Sequence, residues 1–233
     1  PQPRTGFIDR AVVAAYDAGI EPILCVTKTD IRHPQELLDY YQRSGLRIVL
    51  SAASDGRAPS EEGAEGLTTG PVRELLGDLL GNVSVLLGHS GVGKSTLVNA
   101  LTGAERATGH VNSVTGRGRH TSSSALALQP ASDAGVEVPA GTWIIDTPGI
   151  RSFGLAHVSM QKVVEAFPDL APGAVECPRG CAHTGDSSGC GITAYVARGE
   201  AGPSGADRLA SMRKLLAAPD QAGDDEKELG SLT

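Results

Sequence analysis

Apolar residues recur along the first hundred positions with two alternating periods. Ile8, Val12 and Tyr16 have helical spacing and predict a helix over residues 7–18, and residues 21–27 form a short apolar run typical of a buried strand. Strands that alternate with helices indicate a parallel α/β sheet. The pattern predicts further helices over residues 34–44, 70–80 and 96–101, and further strands over residues 47–51 and 83–87.

The pattern changes in the second half of the chain. A glycine-rich, basic stretch over residues 102–119 has no clear period, and residues 124–128 and 142–145 predict two strands with a hairpin-like connection. Short helices are predicted over residues 158–167 and 205–217, ahead of an acidic, polar end. We therefore expect an α/β domain over residues 1–156, a small helical domain over residues 157–218 and a disordered acidic tail over residues 219–233.

Composition narrows the class of protein. Apolar residues are 40% and charged residues 20% of the 233 positions, which is typical of a globular chain and not of a disordered one. No run approaches the roughly 20 apolar residues that span a bilayer, so we expect no membrane partner and a cytoplasmic location. The formal net charge of -7 allows RNA binding through a local basic face only.

A phosphate-binding loop follows the predicted strand 83–87 and precedes a predicted helix. Its sequence GHSGVGKS matches the pattern G-x-x-x-x-G-K-[ST], in which glycines let backbone N–H groups surround phosphate oxygens. Lys94 is expected to reach the β- and γ-phosphates as a catalytic residue, and Ser95 to bind Mg²⁺. The expected nucleotide-binding residues of this segment are Gly88, His89, Ser90, Gly91, Val92, Gly93, Lys94, Ser95 and Thr96.

Two earlier strand ends carry residues that suit a guanine base. Thr27, Lys28 and Asp30 fit the motif [NT]-K-x-D, whose carboxylate accepts two hydrogen bonds from guanine that adenine cannot donate. Taken alone, this match has a solvated strand end as an equally good interpretation. Ser51 and Ala52 end the next strand and resemble the short Ser-Ala element of GTPases. Because open α/β sheets bind ligands at strand ends, the combination predicts GTP.

The motif DTPG follows the predicted strand 142–145. Asp146 is the expected magnesium-binding carboxylate, and the N–H of Gly149 is placed to sense the γ-phosphate. Ordinary GTPases have the phosphate loop first, then DTPG, then the base motif, whereas this chain begins with the base motif. The order predicts a circularly permuted GTPase.

The residues that would position the attacking water are harder to assign. Ile150 stands where Ras-type enzymes have glutamine and cannot polarise water. His120 is a candidate catalytic residue, with an exposed loop histidine as the alternative. Thr121 or Ser122 is expected to complete the Mg²⁺ shell, with Thr121 as our choice. Slow intrinsic hydrolysis that a partner accelerates follows from this.

Three of the four cysteines cluster with a histidine. Cys177, Cys181, His183 and Cys190 supply three thiolates and an imidazole, which is the ligand set of a closed structural Zn²⁺ site. Clustering in a cytosolic chain favours metal over disulfides, and stray buried cysteines are the alternative.

These motifs together resemble the ribosome small-subunit-dependent GTPase A family over nearly the whole chain. The resemblance is carried by TKTD, SA, GHSGVGKST, RHTSSS, DTPGI, the cysteine cluster and a basic last helix with Arg208, Arg213 and Lys214. It implies a P-loop GTPase fold with a mostly parallel sheet covered by helices on both faces, then a small zinc-binding helical domain. It also implies GTP hydrolysis in late 30S subunit maturation, stimulated by that subunit, with 16S rRNA, GTP and GDP as partners and a monomeric state. The histidine of the family's switch matches His120.

Two departures from the family's pattern modify this expectation. The first cysteine pair is one residue closer than the family's spacing. In addition, neither an OB-fold nor the strand expected beside residues 83–87 precedes residue 7, so we expect a fragment whose sheet has a gap.

Two alternative functions remain. The first is a permuted GTPase that acts on the 50S particle, although such relatives lack a zinc cluster. The second is a zinc RNA-binding module with a weak nucleotide site, against which the intact Lys94, Ser95 and Asp146 argue.

Overall fold

The computed structural model describes residues 3–52, 70–104, 125–131, 136–148, 154–185 and 189–217. The helices within these ranges are α1 (Thr5–Asp17), α2 (Gln35–Tyr41), α3 (Pro71–Leu79), α4 (Lys94–Thr102), α5 (Met160–Glu165), α6 (Ala171–Ala174), α7 (Gly191–Ala197) and α8 (Gly205–Ala217). The strands are β1 (Ile23–Thr27), β2 (Arg47–Ser51), β3 (Val83–Leu86), β4 (Leu126–Leu128) and β5 (Trp143–Asp146). No helix in these ranges is long and apolar enough to cross a bilayer.

The chain divides into two compact units that interleave along the sequence. A helical unit comprises Pro1–Ile23, Pro34–Arg47 and Ser152–Thr233, and it contains α1, α2 and α5 to α8. A sheet unit comprises Leu24–His33 and Ile48–Arg151, and it contains α3, α4 and nearly all residues of the five strands. The domain limits at residues 156 and 218 follow chain order instead, and they stay a prediction. The predicted tail 219–233 lies outside the described residues.

The strands that the structure describes form two separate sheets, where the sequence predicts one sheet with a gap beside residues 83–87. β1 pairs with β2, and a second sheet has the order β3-β5-β4. β5 runs parallel to β3 and antiparallel to β4, as the hairpin-like connection predicts. The register pairs Leu86 with Asp146. The carboxyl ends of β3 and β5, which precede the phosphate loop and DTPG, therefore lie side by side.

The core of the sheet unit forms where α4 packs on β5 of the three-stranded sheet and α3 packs on α4. Each helix buries an apolar face, and Ile144 at the centre of β5 is fully buried. Gly103 ends α4 in a left-handed conformation with φ of 66°, which glycine adopts at little cost. The buried helical residues are Val72, Leu75, Leu76 and Leu79 of α3 and Leu97, Val98, Ala100 and Leu101 of α4.

A second core lies in the helical unit. Phe167, Leu170, Ile192 and Met212 are almost completely buried there, together with Val13 of α1. The helical pattern of the sequence does not predict α6 and α7, because these helices have only four and seven residues. Such short helices depend on packing and not on intrinsic propensity.

An arginine lies inside this helical core. Arg208 of α8 is 2% exposed. Its guanidinium donates one hydrogen bond to Asp9 (2.8 Å) and two to Asp169 (2.9 Å each). The guanidinium carbon also lies 4.4 Å from the ring centre of Phe167. Arg208 is therefore no part of an exposed basic surface on α8, contrary to the interpretation of that helix as a basic element.

Three hydroxyl groups complete the coordination of Asp9. Tyr40 and Ser211 donate to one carboxylate oxygen at 2.7 Å and 2.5 Å, and Tyr41 donates to the other at 2.9 Å. Burial, reinforced by the charge of Asp9, raises the pKa of both tyrosines above their ordinary value. They therefore remain neutral donors at physiological pH. These interactions join α1, α2 and α8 within the helical unit.

Candidate nucleotide site and metal centre

The phosphate loop joins β3 to α4 through two left-handed glycines. Gly91 has φ of 80° and Gly93 has φ of 105°, values that side-chain-bearing residues rarely adopt. A Cβ atom on Gly93 would also lie 3.4 Å from the hydroxyl oxygen of Thr27. α4 then begins at Lys94. Its unpaired N–H groups and helix dipole suit an anion at this end.

Lys94 folds back over the loop. Its ammonium group donates to the carbonyl oxygens of Gly88 at 2.7 Å and His89 at 2.9 Å. Burial lowers the pKa of Lys94, and the charge of Asp146 opposes that shift. The charge of the ammonium therefore interacts with that of Asp146.

The predicted base motif contacts the phosphate loop directly. The hydroxyl of Thr27 donates to the carbonyl of Val92, and the ammonium of Lys28 donates to the carbonyl of Gly91 at 2.8 Å. Lys28 adopts a left-handed conformation with φ of 61°. The end of β1 is therefore hydrogen-bonded to the phosphate loop, although more than sixty residues separate them in sequence.

The Ser-Ala element lies beside the same motif. The N–H of Thr29 donates to the carbonyl of Ser51 at 3.2 Å, and Ser51 is buried. Asp30 has an exposed side chain, as a group that reads a base from solvent requires. Residues predicted from three motifs thus surround one region of the sheet unit, with Ala52 next to Ser51.

Asp146 ends β5 beside the phosphate loop. It is 2% exposed, and the hydroxyl of the following Thr147 donates to the carbonyl of Leu86 at 2.6 Å. Ser95 lies in the first turn of α4. Carboxylate and hydroxyl oxygens are the ligands that Mg²⁺ prefers, so this donor set fits that ion. The other switch residues, namely Gly149, Ile150, His120, Thr121 and Ser122, lie outside the described residues.

The four predicted metal ligands lie together in the helical unit. Their ligand atoms are all within 4.8 Å of one another. The Cys177 sulfur lies 3.4 Å from Nδ1 of His183 and 3.9 Å from the Cys190 sulfur, which is 3.9 Å from the same Nδ1. Tetrahedral zinc with bonds of about 2.3 Å to sulfur and 2.0 Å to nitrogen separates its ligand atoms by about 3.5–3.8 Å. The distances among Cys177, His183 and Cys190 are close to these values, and with Cys181 the four residues could hold a metal ion.

Local hydrogen bonds favour thiolate at one of these cysteines. Burial raises the pKa of Cys190, but hydrogen bonds from His183 and Thr193 outweigh it and lower the pKa to about 6. Burial raises the pKa of Cys177, against the opposing effect of the N–H groups of Gly191 and Ile192. Thiolate is the form that binds metal, so the lowered pKa of Cys190 suits a metal ligand.

Two glycines that the sequence did not single out allow close packing beside the cysteine cluster. The N–H of Gly191 donates to the Cys177 sulfur at 3.1 Å. A Cβ atom on Gly191 would lie 2.4 Å from the carbonyl oxygen of Gly173, and one on Gly173 would lie 2.6 Å from the Cβ atom of Tyr195. Real Cβ atoms do not come this close to other atoms, so only glycine at these two positions allows α6 and α7 to pack at this distance. The position of Gly191 directly after a ligand was the available signal.

Comparison with known proteins agrees with this architecture. A family model described as RsgA GTPase matches residues 1–156. Proteins named small ribosomal subunit biogenesis GTPase RsgA are 35% identical in Pseudomonas aeruginosa over 94% of this chain and 36% identical in Shewanella oneidensis over 95% of it. Those matches cover 59% and 58% of the relatives, so the chain spans about three fifths of their length.

Two solved structures share the fold. YjeQ from Thermotoga maritima superposes with a TM-score of 0.60 at 24% identity, over 92% of this chain and 66% of that one. YloQ, described as a circularly permuted GTPase, superposes with a TM-score of 0.57 at 21% identity, over 93% of this chain and 64% of that one. The fold is thus that of a circularly permuted P-loop GTPase with mixed α and β elements, and the chain belongs to the RsgA GTPase family.

Proposed function

We propose that this chain hydrolyses GTP during late maturation of the 30S ribosomal subunit, and that the subunit stimulates the hydrolysis. The observation that carries the proposal is the contact of Thr27 and Lys28 with the carbonyls of the phosphate loop. It brings a guanine-type motif within reach of a triphosphate site. The names of the curated relatives, small ribosomal subunit biogenesis GTPase, support the choice of process.

The phosphate side of the site has a defined division of labour. Lys94 neutralises charge on the β- and γ-phosphates, and the N–H groups at the start of α4 hold the phosphate oxygens. Ser95 and Asp146, with Thr121, hold Mg²⁺, which when bound offsets the charge that develops on the phosphates. His120 orients the attacking water, and the N–H of Gly149 senses the γ-phosphate. The roles of Thr121, His120 and Gly149 rest on the sequence alone.

The base side gives specificity for guanine. Asp30 accepts hydrogen bonds from the base, while Ser51 and Ala52 line its far side. Lys28 contributes to both sides of the site. Its ammonium contacts the phosphate loop, and its aliphatic stem can pack on the guanine ring.

The remaining proposals concern the whole chain. Residues 1–156 form the GTPase domain, with helices on both faces of its sheets, and residues 157–218 form a helical domain around one structural Zn²⁺. We expect a cytoplasmic monomer that contacts 16S rRNA. The fit of Cys177, Cys181, His183 and Cys190 to tetrahedral spacing supports zinc.

GTP turnover with and without purified 30S subunits tests the function. We expect slow turnover alone, strong stimulation by 30S subunits and none by 50S subunits. Equal stimulation by both subunits would contradict the choice of partner. Lys94→Ala should abolish tight nucleotide binding, whereas Lys162→Ala, which removes an exposed ammonium from α5, should leave it intact.

Asp30→Asn tests the base assignment. We expect it to lose GTP binding and to gain binding of xanthosine triphosphate, because an amide can donate to the keto oxygen of xanthine where the carboxylate accepted from guanine. The gained ligand also demonstrates that the variant is folded. Unchanged GTP affinity would show that another group reads the base.

A further inference from the structure

One residue of α8 contacts the metal-binding segment at two points. Nε of Arg213 donates to the backbone carbonyl of His183 at 3.0 Å, and one terminal nitrogen of its guanidinium donates to the hydroxyl of Thr193 at 2.7 Å. His183 is one of the four clustered ligands. Thr193 lies three residues after Cys190, in the first turn of α7. Arg213 therefore contacts the backbone of one ligand and a side chain in the first turn of the helix that follows another.

The backbone of His183 needs such support. Its φ of 57° is left-handed, and among the non-glycine residues that the structure describes only Lys28 shares this feature. A side chain disfavours this conformation, so surrounding contacts must maintain it. The same conformation directs Nδ1 of His183 to 3.4 Å from the Cys177 sulfur. A donor on the His183 carbonyl fixes the peptide plane that follows, and with it the direction of the imidazole.

We infer that Arg213 is a positioning residue of the metal centre. It holds His183, and through Thr193 also Cys190, in the arrangement that binds the ion. The inference rests on the proposed metal site. The two acceptors suit a planar guanidinium, whose several N–H groups point in fixed directions, whereas a lysine ammonium is a single point donor. Residues that orient metal ligands in this way typically change metal affinity by about 10- to 100-fold when removed.

Packing of α8 does not depend on this arginine. The buried face of the helix consists of Leu209, Met212 and Leu215 together with Arg208, and Arg213 is only partly buried. The next residue, Lys214, carries the same charge and is exposed. Lys214→Met is therefore a matched control, since it removes one positive charge from the same helix one position away.

The test measures zinc release from the full chain. Wild-type protein, Arg213→Met, Arg213→Lys, Thr193→Val and Lys214→Met are loaded with Zn²⁺ and mixed with the chelating dye 4-(2-pyridylazo)resorcinol. We expect release from Arg213→Met at least about tenfold faster than from wild type, with smaller increases for Arg213→Lys and Thr193→Val. Lys214→Met should match wild type. Cobalt-loaded Arg213→Met should show a shifted visible absorption spectrum, because the geometry at the imidazole changes.

Several outcomes separate this inference from the proposals it rests on. If wild-type chain takes up no Zn²⁺, the metal site itself is wrong, and GTP turnover tests the proposed function independently. If wild type binds Zn²⁺ but Arg213→Met releases it at the same rate with the same cobalt spectrum, Arg213 is no positioning residue. Equally fast zinc release from Lys214→Met would show that the loss of one positive charge from α8 causes the effect, and not the contacts of Arg213. Circular dichroism at saturating Zn²⁺ should show Arg213→Met and Arg213→Lys folded, and loss of helix in both would also overturn the inference.

Discussion

Replacing Arg208 with methionine is the sharpest test of the buried cluster in the helical unit. Methionine has nearly the helix propensity of arginine, so the change isolates the guanidinium. The side chains of Arg208, Asp9 and Asp169 are 3%, 1% and 3% exposed. Asp9 keeps three hydroxyl donors, but Asp169 loses two hydrogen bonds from the arginine. Because one partner of a buried ion pair typically costs about 3–5 kcal/mol to remove, we expect a loss of about 4 kcal/mol in unfolding free energy.

Urea unfolding followed by far-ultraviolet circular dichroism measures this loss. With a denaturant slope of about 2 kcal/mol per molar urea, the midpoint should fall by about 2 M. Such a loss is a large part of the roughly 5–15 kcal/mol that stabilises a typical domain. The single tryptophan, Trp143, lies in the sheet unit and supplies a second probe by fluorescence. Two transitions seen by the two probes would be analysed separately.

A matched surface variant and a second substitution give this prediction its controls. Arg198→Met removes an exposed arginine that pairs with Glu176 and Glu200, and it should leave the midpoint unchanged. Adding Asp169→Asn to Arg208→Met should recover part of the loss, since the amide leaves no uncompensated charge. A midpoint shift below about 0.5 M for Arg208→Met would refute the reasoning from buried charge. A full shift without recovery would instead assign the cost to the lost packing on Phe167.

Three further variants or residues test other parts of the structure. Gly191→Ala should reduce the zinc stoichiometry, because the added Cβ atom would lie 2.4 Å from a carbonyl oxygen. In the control Gly185→Ala the added Cβ atom meets nothing within 4 Å, so this variant should retain zinc. Equal stoichiometry in the two variants would contradict the close packing of Gly191 against that carbonyl. Thr27→Val should weaken the binding of a fluorescent GTP analogue by about five- to tenfold, because one hydrogen bond is lost. Thr27→Ser should restore the affinity. Unchanged affinity in Thr27→Val would mean that this hydrogen bond is unimportant for nucleotide binding. Burial raises the pKa of Cys25 from 9.0 to about 11, so its thiolate is scarce below pH 11. Iodoacetamide at pH 8 should therefore label Cys25 about a hundredfold more slowly in the folded chain than in the unfolded chain. Equal labelling rates, measured by mass spectrometry, would disprove this.

Local motifs made much of the site predictable from the sequence. The phosphate loop and the cysteine cluster are contiguous, and each residue type has a chemical reason to stand at its position. Most long helices and strands were placed to within about two residues, because their periodicity is strong. The sequence predicted a gap in the sheet but not which strands pair on each side of it, since strand pairing depends on long-range contacts that periodicity does not contain. The short helices α6 and α7 depend on glycine contacts between them.

The burial of Arg208 can be predicted from the spacing of the apolar residues around it in α8. Arg208, Met212 and Leu215 are spaced i, i+4 and i+7, so a helix over 205–217 places the arginine on its apolar face. A charge on that face requires a buried partner of opposite sign, because an unpaired charge in a core is too costly. The sequence could therefore have identified Arg208 as internal, and not as part of a basic surface. It could not have identified Asp9 as a partner, since 199 positions separate the two and several other acids were equally available. Helical periodicity reveals that a charge is buried, and only the tertiary fold determines which residue neutralises it.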